Sequence, residues 1–138
     1  METTSTLPYI KLATPEGQSK FLADYRGLAN LVIVFAGENT RALLHDMAQQ
    51  PRQFHNADSQ VIVIAPETSE MPETPFTVLI DEQARLQATL SPACVVIADR
   101  YGEIITRYAD NPSTADVLDY LEYLELQCPE CGHIEWQV

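Results

Sequence analysis

An α/β fold, a central mixed sheet with helices on both faces, is predicted for this chain on three observations. Leu31–Ala36 and Gln60–Ala65 are apolar runs rich in β-branched residues and too short for buried helices, so both read as strands covered on two sides. Val95–Ala98 and Ile104–Tyr108 flank Asp99-Arg100-Tyr101-Gly102, whose leading Asp and closing Gly signal a turn between antiparallel strands. Val117, Leu118, Leu121 and Leu124 form one apolar helical stripe, with Asp116, Asp119, Glu122 and Glu125 on the wet side.

The remaining elements follow in chain order. Tyr9–Leu12 reads as a short edge strand, followed by the tight turn Thr14-Pro15-Glu16-Gly17. Phe21–Gly27 is a turn-forming segment that delivers the chain to the central strand. Gly37 ends that strand, Asn39 or Thr40 caps a helix, and Leu43, Leu44 and Met47 turn it inward. The helix stops before Pro51, which cannot continue the hydrogen-bond ladder, and His55 falls in a polar connection. After the strand at Gln60–Ala65, the segment from Glu67 to Thr74 has two prolines and no periodicity, which marks a surface loop. Thr77–Ile80 is a strand, and Asp81 caps a helix that buries Ala84, Leu86 and Leu90. Ser113 or Thr114 caps the last helix.

Bulk properties narrow the function. The 138 residues, 46% of them hydrophobic, suit one domain with a proper core. Residues 1–127 read as that domain and 128–138 as a tail. A net charge of −12 argues against nucleic acid and anionic membrane surfaces, both polyanions. No signal peptide or membrane span is legible, and three cysteines make a poor disulfide framework, so a reducing cytoplasm is expected. No phosphate loop, nucleophile elbow, zinc-protease helix or dinucleotide fingerprint is present.

The junction from Leu31 to Leu44 is where an open α/β sheet usually places its chemistry, because a helix N-terminus offers orphan amides. Its residues are Gly37, Glu38, Asn39, Thr40 and Arg41, without cysteine, histidine or lysine.

Four segments carry a family resemblance: Lys11–Gly17, Leu22–Gly27, Leu31–Phe35 and Val95–Ile104. Their order resembles the thioredoxin-like redoxins, of the alkyl hydroperoxide reductase/thiol-specific antioxidant (peroxiredoxin-like) type. The resemblance covers roughly residues 9 to 126 and implies a thioredoxin-like fold. It also implies redox chemistry at the junction, with a proline, a hydroxyl residue and a nucleophilic cysteine, or with Cys-x-x-Cys. This chain departs there, having no cysteine from Ala36 to Leu44. Thr40 and Arg41 are similar to the family's hydroxyl and arginine helpers, but helpers without a nucleophile do not reduce peroxide. Read from the residues alone, Thr40 is a helix cap and Arg41 a solvated side chain. Pro92 stands about where such folds place a cis-proline, one residue further from Asp99 than the family usually has, and both isomers stay open. Cys94 is expected to point into the core as a small hydrophobe.

The tail holds the remaining chemistry: Cys128-Pro129-Glu130-Cys131-Gly132-His133. Proline and glycine shape a knuckle that aims two sulfurs at one point, half of a tetrahedral zinc site. His133, or the same pair from a second chain, would complete it. A dithiol couple and a plain structured tail are the other readings. The preceding helix C-terminus, with Glu125, Glu130 and Glu135, raises thiol pKa and favours a bound cation. Ile134, Trp136 and Val138 suit docking onto an apolar surface, the domain itself or a symmetry mate.

Two function classes survive. One is a non-catalytic redoxin-fold module, without a required cofactor, that binds a protein or forms a homodimer, with or without zinc at the tail. The other is a thiol-disulfide oxidoreductase or antioxidant protein working through Cys128 and Cys131.

Overall fold

The computed structural model describes residues 6–127 except 26, 68 and 70, and gives only the backbone of 56 and 125–127. The elements are β1 (Leu12–Ala13), β2 (Ser19–Lys20), a 3-10 turn (Leu22–Tyr25), β3 (Asn30–Phe35), α1 (Arg41–Met47), α2 (Pro51–Asn56), β4 (Ser59–Ala65), β5 (Thr77–Ile80), α3 (Arg85–Leu90), β6 (Val95–Ala98), β7 (Ile104–Tyr108) and α4 (Thr114–Gln127).

The strands form one seven-stranded mixed sheet in the order β2-β1-β5-β4-β3-β6-β7. β3, β4 and β5 run parallel, with Val32 opposite Val61 and Val63 opposite Val78. β6 and β7 continue the sheet antiparallel on one side, β1 and β2 on the other. Alternation along β3 sorts the core onto two faces. Val32 and Val34 pack with Leu43, Met47, Phe54, Val117 and Leu121 under α1, α2 and α4. Leu31, Ile33 and Phe35 pack with Leu12, Leu22, Leu86 and Leu90 under α3 and the 3-10 turn. Ile33, Ile62 and Val63 are fully buried, each contributing about 1.5–3 kcal/mol by transfer from water.

The structure corrects four local expectations. Pro51 does not merely end a helix. At its first position the missing N–H costs nothing, so a second helix, α2, starts there and His55 is helical. The first edge strand lies at Leu12–Ala13, where the chain can pair with both β2 and Ile80, rather than over Tyr9–Leu12. Ala84 is exposed in a left-handed conformation (φ 53°) just before α3, and only Leu86 and Leu90 of the three expected residues are buried. Cys94 lies at the margin of the core, half-buried.

Two turns form as the sequence implies. The Gly17 amide donates to the Thr14 carbonyl at 2.8 Å, and Gly17 takes φ +91°. Asp99 closes the β6–β7 turn by accepting the amides of Tyr101 and Glu103, both at 3.0 Å.

Candidate functional site

The junction between β3 and α1 sits at the carboxyl end of the central parallel strands. The Ala36 amide donates to Ile64 at 2.8 Å and the Phe35 amide to Cys94 at 3.0 Å, so β4 and the start of β6 hold the strand end from both sides. Gly37, Glu38 and Asn39 are exposed, and a side chain at Gly37 would project into open space. Arg41, the first residue of α1, is exposed, in accord with a solvated side chain.

Thr40 behaves differently from a capping residue. It stands at the N-cap position, but its hydroxyl makes no cap hydrogen bond and donates instead to the Phe35 carbonyl at 2.8 Å. The residue is 1% exposed, so the hydroxyl ties the end of β3 to the start of α1 from inside. The Asn111 side-chain amide donates to the Asn39 carbonyl. Among the described residues, this fastening came without a sequence signal, because Asn111 is 72 positions away.

The Ser91–Pro92 bond is cis. The loop carrying it lies beside the junction, and a cavity of about 280 Å³ opens between them, lined by Gly37, Asn39, Thr40, Gln87, Ser91 and Cys94 among others. Cys94 is therefore a site-lining residue that sequence reasoning assigned to the core. The sequence held a weak signal for this: Cys94 lies two positions beyond the proline that borders the site. Its thiol donates to the Tyr108 carbonyl at 3.3 Å. Burial pushes the thiol pKa up, and Asp110 adds to the rise. A neutral thiol hydrogen-bonded to a carbonyl is a poor nucleophile.

On its other side the junction faces a second hollow of about 700 Å³, whose lining includes Gly37, Glu38, Arg41, Leu44 and His45. Gly37 borders both hollows, Arg41 lines the second, and Ser91 and Ala93, the neighbours of Pro92, line the first. Cys128, Cys131 and His133 lie outside the described residues. Among the described residues no group of His, Cys, Asp or Glu is arranged to hold a metal ion, and no helix is long and apolar enough to cross a membrane.

A mixed sheet with β3 feeding α1 at the junction, a cis-proline loop beside it and a β6–β7 hairpin defines the thioredoxin-like fold. Solved structures agree. The mitochondrial 2-Cys peroxiredoxin of Plasmodium falciparum superposes with a TM-score of 0.73 at 11% identity, over 89% of this chain and 94% of that one. Peroxiredoxin Q of Xanthomonas campestris gives 0.70 at 12% identity, over 87% and 98%. An uncharacterized thioredoxin-like protein of Porphyromonas gingivalis gives 0.73 at 14% identity, over 96% and 98%. No family profile and no curated protein sequence matches the chain.

Proposed function

We propose that this chain is a redoxin-fold module of redox-related ancestry that works by binding rather than by peroxide chemistry, and that its tail joins two copies. One observation carries the reading: from Ala36 to Leu44, where redoxins hold their reactive thiol, the sequence has no cysteine. The fold shared with peroxiredoxins supports the ancestry. Cys94, the one thiol among the described residues, has its pKa raised by burial, which opposes a nucleophilic role. Thr40, the counterpart of a catalytic helper, spends its hydroxyl on the Phe35 carbonyl.

The test is consumption of hydrogen peroxide and cumene hydroperoxide with a dithiol reductant. The expected rate equals that of the protein-free control. Turnover proportional to protein would overturn the reading, and its loss in Cys128→Ser would assign the activity to an oxidoreductase acting through Cys128 and Cys131.

A further inference from the structure

The hollow on the α1 side of the junction has the walls of a peptide site. One wall is a single face of α1 and its end, with Arg41, Leu44, His45 and Ala48 at helical spacing. The loop between β4 and β5 contributes a second wall, Ser69, Met71, Pro72 and Glu73, and Ala36, Gly37 and Glu38 complete the lining. About 700 Å³ falls within the range of ligand pockets.

Two features narrow the ligand. Met71 and Glu73 belong to no helix or strand, and their main-chain groups make no hydrogen bond to any described residue. Pro72, between them, has no N–H to place. Main-chain donors and acceptors left open along one wall are what an extended peptide satisfies when it lies against another chain. Charge gives the second feature. Among the described residues of the lining, Glu38 and Glu73 set two carboxylates against one permanent cation, Arg41, and the whole chain carries −12. Leu44, Met71 and Pro72 supply apolar contact.

We infer that this hollow binds an extended, basic peptide segment of a partner protein, its backbone against Met71–Glu73, its cationic side chains toward Glu38 and Glu73, and its apolar ones on Leu44 and Met71. The inference rests on the proposed binding role and names where and what the module binds.

The probe is a fluorescein-labelled octapeptide of alternating lysine and valine, followed by fluorescence polarisation on the full chain. Saturable binding is expected, with Kd below about 1 mM. It should weaken about tenfold or more in Glu38→Lys/Glu73→Lys, and weaken as salt is raised. Both substituted residues are exposed, and a far-UV spectrum checks that the variant keeps its fold. Two further peptides leave the protein untouched: one alternates glutamate and valine, the other N-methylates the valines to remove main-chain donors. Each should bind at least about tenfold more weakly than the parent. Absence of saturable binding, equal affinity for the acidic or N-methylated peptide, or an unchanged Kd in the double variant would overturn the inference. Peroxide turnover would remove the non-catalytic reading and leave the peptide result standing, so the two failures are distinguishable.

Discussion

Thr40 spends its only hydroxyl on the Phe35 carbonyl inside the protein, so Thr40→Val would keep the shape and leave that carbonyl without its donor. A loss of about 1–2 kcal/mol is expected by urea denaturation. Stability unchanged within error would show that the bond contributes nothing. Cys94 offers a second residue-level test. In Cys128→Ser/Cys131→Ser it is the sole thiol, and burial raises its pKa. Iodoacetamide should label it more slowly at neutral pH than a small free thiol, with the rate still rising beyond the ordinary thiol range. Labelling as fast as the small thiol would refute this. Linkage gives the sign for stability. The folded chain retains the Cys94 proton at pH values where the unfolded chain has released it. The resulting stabilisation is complete below the ordinary thiol pKa and is lost as pH rises through the raised one. Tyr25, Tyr108 and Tyr120, also raised chiefly by burial, act in the same direction at higher pH.

Among the elements, α3 depends most on one side chain. The Asp81 carboxylate, 4% exposed, accepts the amides of Arg85 at 3.1 Å, Leu86 at 2.9 Å and Gln87 at 3.3 Å. These are the orphan donors of the first helical turn, and the helix has only six residues over which to recover their loss. Asp81→Ala should therefore cost about 1–2 kcal/mol or somewhat more, read as a lower urea midpoint with an unchanged slope. A midpoint equal to that of the parent chain would show that α3 is held by Leu86 and Leu90 alone. Central strands answer to a different term: β3 and β4 are buried on both faces, so their stability comes from packing rather than from caps.

At the scale of the whole molecule, a charge of −12 opposes association between copies by self-repulsion, so any dimer needs a specific tether. In the proposed tether the Cys128–Cys131 pair would supply two ligands, structural zinc takes four, and a twofold axis would double two into four. Ile134, Trp136 and Val138 can add apolar burial at about 25 cal/mol per Å². Light scattering should give a dimer mass for the full chain and a monomer for a truncation ending at Gln127. With zinc in the tether, chelator should also release monomer. A dimeric truncation would reject the tail as tether, whereas a dimer that persists in chelator would reject the metal alone.

The strands and their faces were legible before any coordinates. Continuous β-branched runs can be buried only between two layers, and Asp99 and Gly102 can only turn a chain in a few ways. The empty junction was equally plain, because an absent cysteine is a property of composition. Features that depend on distant partners were not legible. Thr40 looked like a cap because local sequence shows the helix start but not the carbonyl waiting inside the fold. The short helix α2 escaped notice because proline ends one helix and begins another with the same atoms. Cys94 read as core because its neighbours are apolar, and the cavity beside it exists only once the cis-proline loop folds against the junction. The hollow bounded by Met71–Glu73 and α1 is likewise a product of packing: a loop without periodicity becomes a wall when the sheet carries it to the helix. Local patterning determines which segments are strands and helices, whereas cavities and buried hydrogen bonds arise between segments far apart in the chain, so only tertiary contact could place them.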